Sequence, residues 1–236
     1  MLSSVKNGWL LIMVSMLAVD LVHAGNNTCQ LPNQTSLAES YNTFQKQKWK
    51  MADDAECLNQ KIDLPTDYFM LSLSYAPNFC KTKGNDQKNV FECKSGNNFN
   101  WVTHGLWAEA NHPTQCTSNP SMLQHPRYCL GDDYPVISAD EVSKNLCAQP
   151  GFDLVEMEWA KHGTCSSLTG EAYLQKTREL YAQLELPKQD MQPPQIYKWL
   201  RKNNPALRHI NMAFDNKAHE LRICFDKQFA YIDCPR

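Results

Sequence analysis

The sequence predicts an α+β fold in a single disulfide-stapled domain. Three observations carry this. Segments of strand period and of helical period are mixed without a regular βα alternation. All ten cysteines lie after residue 28, at 29, 57, 80, 93, 116, 129, 147, 165, 224 and 234. The chain opens with the pattern of a secretory leader, behind which an even cysteine count means disulfides formed in an oxidising compartment.

The leader is expected over residues 1–24. Lys6 supplies the positive start, Trp9 to Leu17 is apolar apart from Ser15, and Val22-His23-Ala24 resembles a cleavage site. Asp20 breaks the run short of the roughly 20 apolar residues that a spanning helix needs, and no later stretch could cross a bilayer. Residues 25–66 form an N-terminal extension. From Ser36 to Leu58 it is polar with scattered apolar positions (Leu37, Tyr41, Phe44, Trp49, Met51), as a disulfide-tied helical segment would be. Asn26 and Asn33 open N-x-T sequons, which carry glycans in a eukaryotic host.

Residues 67–236 form the main body. Asp67–Tyr75 is the first strand, with Phe69, Leu71, Leu73 and Tyr75 alternating with Tyr68, Ser72 and Ser74, and Pro77 stops it. Residues 81–98 are polar and contain glycine, which predicts a loop. Asn100–Leu106 is a second strand whose alternation puts Val102, His104 and Leu106 on one face. Ser138 with Glu141 makes a capping box for a short helix to about Cys147. Pro150-Gly151 separates it from a helix over Asp153–His162 that Gly163 ends. Thr169–Leu184 is a further helix, and Pro194 suits the first turn of another. The closing segments, 221–225 and 228–233, form a hairpin that Cys224 and Cys234 could staple.

The net charge is −2, too little positive charge for a tight, non-specific binder of long nucleic acids. It leaves room for an enzyme that grips one phosphate locally. Two segments hold the candidate chemistry, WVTHGLW (101–107) and EMEWAKHGTC (156–165). On a helix, Glu158, Lys161 and His162 stand at i, i+3 and i+4 and share one face. Alone, His104 is a structural strand histidine and Glu158 with His162 a solvated pair. Together they supply a base, an acid and a positive charge, the parts that metal-free phosphodiester transfer needs.

Taken together, the two segments resemble the paired active-site motifs of the ribonuclease T2 family. The resemblance runs from the LSLSYAPNFC segment to Asp233-Cys234-Pro235 and implies an antiparallel sheet backed by helices. It implies an endoribonuclease that cleaves single-stranded RNA by transesterification through a 2′,3′-cyclic phosphate, with no metal and no cofactor. His162 would be the general base on the 2′-hydroxyl and His104 the general acid on the leaving 5′-oxygen. Glu158 and Lys161 would stabilise the phosphorane. DNA, lacking the 2′-hydroxyl, is excluded as substrate. Tyr75, Asn78 and Phe79 lie where the family places base contacts, although each has a core or turn reading too, and Trp107 is a fourth candidate substrate contact with a packing reading beside it.

Two positions depart from the family pattern: Ala108 where the first motif usually ends in proline, and Met157 where a phosphate-holding histidine often precedes the Glu-Trp pair. The resemblance implies Cys80–Cys93. Cys165 should reach Cys116 or Cys129; the preferred set is Cys116–Cys165, Cys129–Cys147, Cys224–Cys234 and Cys29–Cys57. The protein is expected to be a monomer in a bacterial periplasm, outside the cell, or in a eukaryotic secretory or lysosomal-vacuolar compartment. Three rivals carry less support. A non-catalytic storage or signalling protein would not need both histidines. A metallohydrolase using His104, Glu158 and His162 lacks an H-E-x-x-H cluster. A cysteine–histidine hydrolase needs a free thiol, which ten paired cysteines would not leave.

Overall fold

Alternation in the first strand decides which way the sheet faces. A computed structural model describes residues 29–33, 35–37, 39, 42, 57 and 60–235, so the leader, Asn26 and most of the expected helical extension lie outside the described residues. In chain order the main elements are β1 (Tyr68–Tyr75), α1 (Ala76–Lys83), α2 (Val90–Lys94) and β2 (Trp101–Glu109). A small ribbon follows, β3 (Thr114–Gln115) with β4 (Leu123–Gln124). Next come α3 (Ala139–Asn145), α4 (Phe152–Lys161), α5 (Gly170–Ala182) and α6 (Pro193–Asn203), then β5 (Ala213–Asp215), β6 (Glu220–Phe225) and β7 (Tyr231–Ile232). The sheet is antiparallel in the order β2-β1-β6-β5, with β7 also on β6. The α+β expectation holds.

One face of the sheet carries Phe69, Leu71 and Leu73 of β1, Leu106 and Ala108 of β2, and Leu221, Ile223 and Phe225 of β6. Helices α3 to α6 cover it with Val142, Val155, Trp159, Leu174, Leu180, Ile196 and Leu200. Each fully buried Leu or Ile there contributes roughly 1.5–3 kcal/mol. The opposite face mixes polar residues with Met70, Trp107 and Cys224. Ser72 pairs with Gly105 on one side and Arg222 on the other, so those three residues point away from the core.

β2 does not alternate as expected. Ser72 pairs with Gly105 but Leu73 pairs with Thr103, which leaves His104 as the extra residue of a bulge. A one-residue insertion flips every side chain beyond it. Leu106 therefore enters the main core, while Val102 packs in a separate cluster with Ala76 and Phe99. β2 is also the sheet edge, and its outward groups are covered. Thr103 N–H donates to the Ala148 carbonyl at 2.8 Å, and the Gln149 amide donates to the His104 carbonyl. The Tyr173 and Tyr181 hydroxyls donate to the carbonyls of Leu106 and Trp101, both at 2.8 Å. Capping an edge in this way removes a surface for stray strand pairing.

The polar stretch expected as a loop contains α1 and α2 instead. Pro77 falls in the first turn of α1, where its missing N–H costs nothing, so it starts a helix as well as ending a strand. Ser138 caps α3 by accepting from Glu141 N–H, but the Glu141 carboxylate turns to Lys144 and Arg178 rather than closing the box. Pro193 and Pro194 both occupy the first turn of α6.

Five disulfides correct part of the expected pattern. Cys80–Cys93 and Cys224–Cys234 are present. Cys165 bonds to Cys129 rather than Cys116, Cys57 bonds to Cys116, and Cys29 bonds to Cys147. The pairs Cys116–Cys165, Cys129–Cys147 and Cys29–Cys57 are thus replaced. Tyr128 N–H donates to the Lys161 carbonyl and Cys129 N–H to the Thr164 hydroxyl, which lays residue 129 beside the end of α4. Cys29 and Cys57 are each bonded to the main body, not to one another.

Glu156, on α4, has no exposed surface. Burial pushes its carboxyl up to about 7, with the Ile137 backbone opposing only weakly. The folded chain therefore holds a proton that the unfolded chain releases near 4.5. Stability is full below about 4.5 and declines as pH rises toward and past 7. Urea unfolding of Glu156→Gln should match the parent chain at the acid end. At pH 8 the variant should be more stable by on the order of 3 kcal/mol. A stability difference that does not change with pH would contradict this account of Glu156.

Candidate active site

Val155, Trp159 and Ala160 anchor α4 in the core, and the Trp159 indole donates to the Pro135 carbonyl at 2.7 Å. That anchorage turns Glu158 toward β2. The approach is possible only because residue 105 is glycine: a Cβ there would lie 2.0 Å from Glu158 Oε2 and 2.8 Å from Trp107 Nε1. Glu158 is 2% exposed, accepts from the Trp107 indole at 2.7 Å, and its Oε1 stands 3.5 Å from His104 Nε2.

His162 follows the last helical residue, and its N–H donates to the Glu158 carbonyl. Its ring stacks on Trp107 at 5.4 Å and 27°, while His104 meets the same indole edge-on at 5.4 Å and 77°. Trp107 therefore touches both imidazoles and holds the carboxylate between its neighbours. Gly163 permits the tight turn after His162, since a Cβ would sit 2.4 Å from Trp159 and 2.8 Å from Tyr173. Lys161, half-buried, completes the expected group.

The two histidines are biased in opposite directions. Burial by itself would lower His104, but Glu158 and Glu220 outweigh it and raise the imidazole above the ordinary histidine value. His162 is held well below that value by burial first, then by the charges of Lys161, Arg127 and His104. Burial raises Glu158 against the pull of His104 and Lys161. Burial lowers Lys161, which Glu158 partly restores. The surroundings thus favour the protonated form of His104 and the neutral form of His162.

Glu220 and Arg222 were not visible as site residues in the sequence. Glu220 Oε1 lies 2.5 Å from His104 Nδ1. Arg222 lies over the Trp107 ring at 5.2 Å and bonds Asp215 at 2.7 Å. The one signal was that 220 and 222 are the outward positions of a strand alternating with Leu221 and Ile223. The residues expected at the end of β1 are more dispersed. Tyr75 packs against Trp101, 5.5 Å between rings, and Asn78 donates to Asp190 at 2.6 Å with His219 beside it. Phe79 is half-buried on α1. Among the described residues, no group of three or more His, Cys, Asp or Glu is arranged to hold a metal ion.

The model of the Ribonuclease T2 family matches residues 66–234. The chain belongs to the ribonuclease T2 family. A probable ribonuclease of Haemophilus influenzae is 33% identical over 183 residues, covering 75% of this chain and 64% of that protein. A ribonuclease of Aeromonas hydrophila is 29% identical over 126 residues, covering 51% and 47%. The chain thus spans about half to two thirds of the length of these relatives. Among solved structures, the RNase-related protein from Calystegia sepium aligns with a TM-score of 0.52 at 20% identity, covering 74% of this chain and 93% of the other. A mutant of RNase MC1 in complex with 5′-UMP aligns with a TM-score of 0.50 at 15% identity, covering 74% and 95%. At these identities the likeness is one of fold.

The departures from the ribonuclease T2 pattern have local consequences. Ala108 is buried in β2 opposite Phe69, and the strand continues through it to Glu109. Met157 is half-buried on α4 and brings no hydrogen-bond donor beside Glu158.

Gly105→Ala tests the contact between α4 and β2. The added methyl has no space, so Glu158 must leave Trp107 or the helix must shift, at a cost of roughly 1–3 kcal/mol. Urea unfolding followed by tryptophan fluorescence reads both the stability and the indole environment. Parental stability with unchanged fluorescence would show that the contact is not tight.

Proposed function

We propose that this chain is an endoribonuclease that cleaves single-stranded RNA by transesterification, without a metal ion, through a 2′,3′-cyclic phosphate. His162 takes the proton of the 2′-hydroxyl, whose oxygen attacks the adjacent phosphorus. His104 gives a proton to the departing 5′-oxygen. Glu158 and Lys161 stabilise the phosphorane, the Lys161 ammonium supplying positive charge where negative charge builds on the phosphoryl oxygens. The nucleophile is already tethered beside its target, so positioning and proton transfer are what the protein must supply.

The observation that carries this reading is the pair of imidazoles against one indole, pushed toward opposite protonation states. A base must begin neutral and an acid protonated, and the surroundings of His162 and His104 favour those states. Membership of the ribonuclease T2 family supports the substrate class. The end of β1 is the proposed side for base contacts, because Asn78 reaches His219, the residue before Glu220. Five disulfides suit secretion into an oxidising compartment, and among the described residues no helix is long and apolar enough to cross a membrane.

Homopolymer RNA digestion with and without excess chelator, with product ends identified, tests the reaction. Cyclic phosphate ends, undiminished activity in chelator and intact DNA are expected; direct formation of 5′-phosphates would indicate a different chemistry. His104→Phe and His162→Phe should each lower cleavage by at least about 100-fold with the fold retained, since each removes a proton-transfer partner. Near-parental activity in either variant would reject its assigned role.

The pH–rate profile should be a broad bell. Its acid limb reports protonation of His162 and lies well below the ordinary histidine value, while its alkaline limb reports deprotonation of His104 and lies above it. Rate measurements across pH 3 to 9 that placed both limbs together near about 6.5 would contradict the assignment.

A further inference from the structure

His104 cannot take its orientation from strand pairing. It is the unpaired residue of the β2 bulge, and its backbone carbonyl is held by the Gln149 amide rather than by β1. The ring direction must be set by side-chain partners. From α4 and the residue after it, Glu158, Lys161 and His162 face the ring, and from α2 Glu92 does so. From β6, Glu220 lies 2.5 Å from Nδ1, with Arg222 Nη2 behind it, 3.5 Å from Glu220 Oε2.

The two nearest carboxylates are not equivalent. Glu158 approaches Nε2 at 3.5 Å, beside Trp107 and on the side of His162. Glu220 takes Nδ1 at hydrogen-bonding distance and is 5% exposed. Arg222 in turn is bonded to Asp215 at 2.7 Å, so a strand-borne chain of charges fixes the Glu220 carboxylate.

We propose that Glu220 is a positioning residue for His104: it accepts Nδ1–H, fixes the ring in one tautomer and leaves Nε2 as the atom that delivers the proton. A carboxylate on one ring nitrogen decides which nitrogen carries the remaining proton. In the proposed reaction the Nε2 proton moves to the 5′-oxygen as the P–O5′ bond breaks. The new P–O2′ bond forms at the same phosphorus, and the 2′-hydroxyl proton passes to His162. His104 is left neutral, still protonated at Nδ1 and still bonded to Glu220. This inference rests on the assignment of His104 as general acid, and the experiment separates the two.

Nitrogen-15 NMR of the histidine rings in the resting protein reads tautomer and titration without any need for activity. Above its titration midpoint, His104 of the parent chain should carry its proton on Nδ1; a proton on Nε2 would overturn the proposal. Glu220→Gln keeps an oxygen acceptor of the same length but removes the charge. Its His104 midpoint should fall by about one pH unit or more, with the alkaline limb of kcat moving equally and KM unchanged. At pH values below that limb its kcat should stay within about threefold of the parent, because proton transfer still operates there. Glu220→Ala removes the acceptor as well and should lower kcat about 10- to 100-fold even on the plateau, a loss within the range of general acid catalysis. An unmoved His104 midpoint in Glu220→Gln, or losses confined to KM, would reject the positioning role. An alkaline limb in the parent chain that does not follow the His104 midpoint would instead reject His104 as the acid.

Discussion

The buried carboxylate of Glu158 is the point on which the site depends. A carboxylate removed from water is costly unless charges and hydrogen bonds surround it. Here the partners are the Trp107 indole, the His104 ring and the ammonium of Lys161. Each comes from a different place along two short motifs, and each is a group that phosphodiester transfer can use. The need to satisfy one buried charge therefore assembles the proposed catalytic set, and Gly105 provides the space for it.

The sheet supplies the frame. Its apolar face, led by Leu71, Leu73, Leu106 and Ile223, is sealed by the helices, and this seal fixes how α4 lies against the edge strand. The opposite face carries Arg222 and Glu220 toward Trp107 and His104. The bulge at residue 104 lets one strand serve both purposes, since it sends Leu106 into the core and frees His104 from the ladder. The hydroxyls of Tyr173 and Tyr181 and the Gln149 amide then occupy the edge groups that β2 would otherwise expose.

Electrostatics divide the two histidines. His104 lies between two carboxylates, whereas His162 lies among positive groups and out of water. The same cationic surroundings, Lys161 and Arg127, favour an anion near His162, which suits a phosphate at that end of the site. The disulfide Cys129–Cys165 pins the turn after His162 to the segment beside the end of α4.

The sequence alone determined the α+β class, the first strand and its inward face, and the motif helix with Glu158, Lys161 and His162 at i, i+3 and i+4. These are local patterns: period two, period 3.6 and side-chain spacing within one element. His104 was joined to that group only by the resemblance of the two motifs to the ribonuclease T2 family. Tertiary structure decided the rest. The bulge at His104 depends on register against β1, and nothing in the residues 100–106 announces it. In the polar stretch after Tyr75, Pro77 sits in the first turn of α1 and the Cys80–Cys93 bond joins α1 to α2. The pairing of Cys29, Cys57, Cys116, Cys129, Cys147 and Cys165 is set by which segments lie side by side, and ten cysteines leave many combinations. Glu220 meets His104 across 116 residues, because β6 returns to the far side of β1. Contacts of that range are a product of packing, and a single sequence holds no local periodicity that records them.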